Sequence, residues 1–195
     1  MVLRFWFAGP IVEKLGPLGL LATSAVLAIA GLYLLSTASG LTAIFIFATL
    51  YGFGKTFFWP TTLGVVSEQC PKGGALTLNA IAGIGMLAVG ILGGPVIGKM
   101  TEDSIKVSVE EATSAETYGK ISNDSTYFLG DYTAVDASKV GELPEEEKAT
   151  VQESIQSGKQ GSLASVAVFP VFMLICYILL IFYFRGKGGY KPVEI

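Results

Sequence analysis

Residues 162–184 read SLASVAVFPVFMLICYILLIFYF, a run without one charged side chain. About 20 mostly apolar residues in a helix cross a hydrocarbon core, so this stretch predicts a transmembrane helix. Working outward, residues 17–39, 41–66 and 74–98 are of the same kind, and the only charge in the four runs is Lys55. Across 195 residues the chain is 51% hydrophobic and 15% charged, with a mean hydropathy of +0.59. Charged residues usually make up about a quarter of a globular chain, so the apolar surplus must face something other than water. The expected fold is an all-α membrane protein with four transmembrane helices.

The charges collect between the third and fourth runs. Residues 99–161 carry 13 Asp and Glu against 6 Lys and Arg, a net −7 that exceeds the −3 of the whole chain. They form a large acidic loop, expected outside the cytoplasm. Its turn residues are Asn123, Asp124, Gly130 and Gly141, and PEEEKATVQESIQ predicts a short helix near 144–158, with Pro144 and three Glu in its first turn. The rest is expected to be an irregular cap with too few apolar residues for a core of its own. Asn123-Asp124-Ser125 matches a glycan acceptor pattern, one that is frequent by chance.

Lys and Arg near the span ends set the orientation. Arg4 and Lys14 precede the first span, Lys72 lies between the second and third, and Arg185, Lys187 and Lys191 follow the fourth. Both termini are therefore expected in the cytoplasm, and the membrane is expected to be a bacterial cytoplasmic (inner) membrane. The opening MVLRFWFAGP does not read as a cleavable signal, because its apolar stretch is short and Pro10, Glu13 and Lys14 interrupt it. The chain has no histidine, which excludes Ser-His-Asp and Cys-His catalysis and His-containing metal sites. Cys70 and Cys176 are far apart, so no disulfide, zinc or iron–sulfur site is expected. No cofactor, no enzymatic activity and no nucleic-acid partner are expected; the lipid bilayer is the first partner.

The spans differ in polarity. The first and fourth read as lipid-facing. The second, IFIFATLYGFGKTFFWPTTLGVV, combines Lys55, Trp59, Pro60, Thr61 and Thr62 with three glycines, a composition suited to a kinked helix lining a cavity. The third sets Ala75, Asn79, Gly83, Gly90, Gly94 and Gly98 on a stripe at helical spacing, and small residues let helices pack closely in lipid. GFGKT at 52–56 is not a phosphate-binding loop, because Thr49 stands where its first glycine belongs. GIGMLA at 83–88 lacks the strand and turn of a dinucleotide fingerprint.

Two motifs resemble those of the major facilitator superfamily. AGPIVEKLGPL at 8–18 places Gly9, Glu13, Lys14 and Gly16 in the order of that family's cytoplasmic loop signature, although Pro17 and Leu18 stand where the family has basic residues. GILGGPVIG places Gly90, Gly94, Pro95 and Gly98 like the family's glycine–proline signature near the end of a packing helix. The resemblance covers nearly all the chain except the acidic loop. It implies that the spans correspond to the ninth through twelfth helices of a C-terminal half, in the order support, cavity, interface, support. It further implies that the chain is a fragment whose partners are the missing N-terminal helices of the same transporter, and that Glu13 and Lys14 lock helix ends in one conformational state. A four-helix adaptor or receptor is the other class considered.

Lys55 lies near the middle of its span, where a charge costs about 2.5 to 3.5 kcal/mol on insertion scales. Tyr51, Lys55, Trp59 and Thr62 share a helical face, with Ile46, Phe53 and Phe57 opposite. One reading is a small-molecule substrate site: Lys55 for an anionic or hydroxyl-bearing group, Tyr51 and Trp59 for stacking, Thr62 for a hydrogen bond. The other is a lysine paired with an acid on a missing helix.

Overall fold

The computed structural model describes residues 8–127 and 130–193, with side chains described from Leu15 onward apart from that of Tyr127. Four stretches are helical, long and apolar enough to cross a membrane: Leu15–Ser36, Leu41–Gln69, Pro71–Ala112 and Glu145–Gly186. The chain divides into two compact units, one of Met1–Met86 with Ala167–Ile195 and one of Leu87–Val166.

In the first unit, α1 (Ala8–Ser36) is broken at Gly16, whose φ of 68° and ψ of 166° leave the helical region, and Pro17 restarts the helix. Glycine tolerates that φ, and proline suits the first position of a new helix because its missing N–H would be unpaired there anyway. A tight turn through Gly40, φ 83°, leads into α2 (Leu41–Gln69), which runs through Pro60 without a break in the helix. After a 3₁₀ turn at Pro71–Gly73 comes α3 (Gly74–Ala88). The chain returns to this unit as α8 (Val168–Gly186).

Helix α1 packs against both α2 and α8. Leu18, Leu21, Ala25, Ala28 and Leu32, spaced alternately three and four apart, are all buried. The close approach is made by glycines on both helices. A Cβ on Gly31 would lie 2.7 Å from the Tyr51 Cα, and one on Gly54 would lie 2.7 Å from the Ala28 nitrogen. This corrects the lipid-facing reading of the first span: 44% of its most apolar stretch is buried, against 11% for α2. In a helix that is apolar all round, hydrophobicity cannot mark the packed face; the small residues Ala25, Ala28 and Gly31 do.

The second unit corrects the picture of an irregular acidic cap. The helical backbone passes through a π turn at Val89–Gly93 into α4 (Gly94–Ala112). There follow α5 (Ala115–Ile121), β1 (Ser122–Tyr127), β2 (Gly130–Val135), α6 (Ala137–Gly141) and α7 (Glu145–Val166). The two strands pair antiparallel with Ser122 opposite Val135, a small hairpin in an otherwise mostly helical chain. Asn123 and Asp124, expected in a turn, lie in β1, while Gly130 has the positive φ, 110°, of a turn residue.

Helices α4 and α7 pack side by side, and their contacts run in opposite directions: Thr101 meets Ser162, and Ile105 meets Gly158. At one end Ile105, Val109, Tyr118, Ile121, Val140 and Val151 form a buried core, flanked by Val135, Leu143 and Ile155. Few as they are, these residues suffice because they come from five elements and converge on one spot. Side chains close the exposed backbone ends. Ser114 accepts the Thr117 N–H at the start of α5, Asp136 accepts the Ser138 N–H at the start of α6, and Glu102 accepts the Val135 N–H from β2. The amide of Asn123 donates to Asp136 at 2.7 Å and accepts from Lys139, so the glycan-pattern asparagine is occupied in holding the hairpin to α6.

Candidate functional site

Tyr51, Lys55, Trp59 and Thr62 lie on α2, but packing divides them. Tyr51 has its backbone against Gly31 of α1, which places it in the helix–helix contact. Thr62 is half-buried beside Tyr177 of α8, whose ring stacks with Phe58 at 6.4 Å between centroids. Lys55 and Trp59 remain exposed, and the Trp59 ring edge lies 3.2 Å from where a Cβ on Gly85 of α3 would sit. On the supposedly greasy opposite face, Ile46 and Phe53 are exposed and only Phe57 is buried. The face drawn on an ideal helix therefore splits into a packed pair and an open pair.

No ion pair to Lys55 is formed among the described residues. An ammonium on an otherwise apolar helix needs water, a carboxylate or a polar ligand beside it. The open pair offers a cation next to an indole, a combination able to hold an anionic or hydroxyl-bearing group against an aromatic surface.

The other predicted positions fall as follows. Gly9, Glu13 and Lys14 lie in the helical turns that precede the break, and Gly16 makes the break itself; the side chains of Glu13 and Lys14 fall outside the described residues. Gly90 lies within the π turn, and Gly94 and Pro95 open α4. The π turn has a local cause. Proline has no N–H to give the carbonyl four residues back, and its ring would collide with that carbonyl, so the helix widens just before Pro95. The Gly94 N–H reaches back five residues to the Val89 carbonyl. Within their own units, among the described residues, no atom outside the local helix lies within 4 Å of a Cβ built on Gly83, Gly90, Gly94 or Gly98. The close helix contacts within each unit are made at Gly31, Gly54 and Gly158.

Sequence reasoning missed a polar groove in the second unit. Lys99, Asp103 and Lys106 of α4 face Asp124, Thr126, Asp131, Tyr132 and Thr133 of the hairpin across a cavity of about 620 Å³. Asp131 accepts from Thr126 at 2.8 Å, and Lys106 lies 5.8 Å over the Tyr118 ring. Burial pushes the Tyr118 phenol up, which keeps it a donor to Thr133. The spacing of Lys99, Asp103 and Lys106 along one helical face is the available signal, and without the hairpin opposite it is indistinguishable from solvated charge. No group of three acidic or sulfur ligands suited to a metal occurs among the described residues.

Comparison with family models, with curated proteins and with solved structures finds no match.

Proposed function

We propose that this chain is part of a secondary active transporter of the major facilitator type, moving a small polar solute across a membrane by alternating access. The reading is carried by one observation: Lys55 and Trp59 stand exposed on an apolar helix, with no ion-pair partner for the lysine among the described residues. A charge in that position is retained where it meets a solute, a water-filled cavity or an acid on a neighbouring helix. The glycine stripe on α3 and α4 supports the same reading, since small residues at helical spacing suit packing against further helices of the same transporter. Tyr51 and Thr62 then position the α2 backbone behind the cavity, and Gly9, Glu13, Lys14 and Gly16 serve as the conformational motif. The distribution of Lys and Arg at span ends supports both termini in the cytoplasm of a bacterial inner-membrane protein.

The test is solute uptake by the full-length transporter carrying Lys55→Ala. Uptake should fall at least tenfold while membrane insertion is unchanged, and Lys55→Arg should retain part of it. Normal uptake by Lys55→Ala would remove Lys55 from the site.

A second reading, a membrane adaptor or receptor, draws on the independent core of the second unit. Under it, replacing residues 99–161 by a short linker abolishes function and Lys55→Ala does not.

A further inference from the structure

The chain after α8 does not trail away. Helix α8 ends at Gly186, and the backbone reverses through Gly188 and Gly189, with φ of 91° and 100°. The Gly189 N–H bonds the Phe184 carbonyl at 2.9 Å and the Gly188 N–H bonds the Arg185 carbonyl at 3.2 Å. This paired pattern closes the helix with a left-handed glycine and redirects the chain sharply. Tyr190, next in line, packs edge-on against Phe184 with ring centroids 5.1 Å apart.

The redirected tail lands on the last turn of α2. The Tyr190 hydroxyl donates to the Glu68 carboxylate at 2.6 Å, the Gln69 side-chain amide donates to the Lys191 carbonyl at 2.9 Å, and the Val193 N–H donates to the Glu68 carbonyl at 2.9 Å. Carbonyls in the last turn of a helix have no partner within it, so the tail supplies one from more than 120 residues away along the chain. We infer that residues 186–193 are a conformational latch: closed on Glu68 and Gln69 it ties the end of α2 to the end of α8, and released it lets the two ends part.

Three features make this a latch instead of a chance contact. The turn is built from two consecutive glycines in a conformation that side chains resist, which aims the tail at one place. Its grip combines a carboxylate hydrogen bond, which is stronger than a neutral one, with two bonds that involve backbone and so survive side-chain exchange at Lys191 and Val193. Its strength lies in few bonds, so it can open without unfolding either helix. Burial and the Glu68 carboxylate push the Tyr190 phenol up to about 12, so this donor keeps its proton at any physiological pH. The latch rests on contacts within this chain and stands whether or not the transport proposal does.

The test uses the whole chain in lipid nanodiscs. Hydrogen exchange at the Val193 amide reports the tail, and spin labels on Ser67→Cys and Arg185→Cys, with Cys70→Ser and Cys176→Ser, report the distance between helix ends. Tyr190→Phe keeps the ring and removes the hydroxyl; it should speed Val193 exchange about tenfold, the size of a charge-assisted hydrogen bond, and broaden the distance distribution. Glu68→Ala should do the same, the pair together should do no more than either alone, and Glu68→Gln, which keeps an acceptor, should fall between. Unchanged exchange, an unchanged distance distribution, or additive effects of the pair would overturn the latch.

Discussion

A Cβ placed on Gly158 would lie 2.5 Å from the Ile105 Cα and 3.0 Å from the Ser104 carbonyl oxygen, and all of these neighbours are backbone. A side chain there cannot be relieved by a rotamer change; α4 and α7 must separate. Gly158→Ala is therefore expected to destabilise the second unit by about 1 to 3 kcal/mol, the usual range for overpacking. The loss should appear as a lower urea midpoint followed by hydrogen exchange at the Ile105 amide. Gly161, with nothing within 4 Å of its Cβ position, is the matched control and should take Ala with little change. At this scale the sequence was partly legible. Ser154, Gly158 and Ser162 repeat every four residues, the small-residue pattern sought in the third span but present in the acidic segment. Small polar residues among charges equally suit an exposed helix, so the pattern alone does not mark a packed face.

Among the elements, the short helix α6 and the hairpin β1–β2 depend on Asp136. Its carboxylate takes the Ser138 side chain and N–H at the start of α6 and the Asn123 amide from β1, while its own N–H bonds the Ile121 carbonyl at 2.8 Å. The Ser138 hydroxyl, then its N–H, hold the Asp136 carboxyl below the usual carboxylate range. A depressed folded value means that the stabilisation is complete above the ordinary pKa of 3.8 and disappears as pH falls through the lower folded value. Acid should accordingly speed amide exchange at Ser138 and in β1, and Asp136→Asn should flatten that response below about pH 4. The four apolar helices were legible from composition and length alone. The hairpin was not: SNDSTY is polar, offers no alternation of apolar side chains, and becomes a strand because GDYTAV lies beside it and Tyr118 reaches Thr133. The candidate site was legible in its residues and not in its face, because ideal helical spacing cannot show that Gly31 draws Tyr51 into a helix contact.

For the whole molecule, the two units hold together by different means. The first buries α1 between α2 and α8 and leaves large apolar side chains such as Phe45, Leu76, Phe172 and Phe182 exposed, so its surroundings must be apolar too. The second has a small core and charged, water-suited helices. Urea weakens burial from water but has little access to a bilayer-embedded helix pair, so unfolding in lipid should occur in two steps. Ala25 and Ala28 are buried in the first unit, whereas Ile105 and Val151 are buried in the second. Hydrogen exchange at the Ile105 and Val151 amides should therefore quicken at lower urea than at the Ala25 and Ala28 amides. A single coincident transition would show that the units unfold as one.

The hydroxyls of Thr101 and Ser162 lie 3.4 Å apart, although 61 positions separate them along the chain. The polypeptide thus enters and leaves the acidic module at practically the same point. A gene could gain or lose everything between them while the entry and exit stay where they are, which makes this stretch a removable cassette.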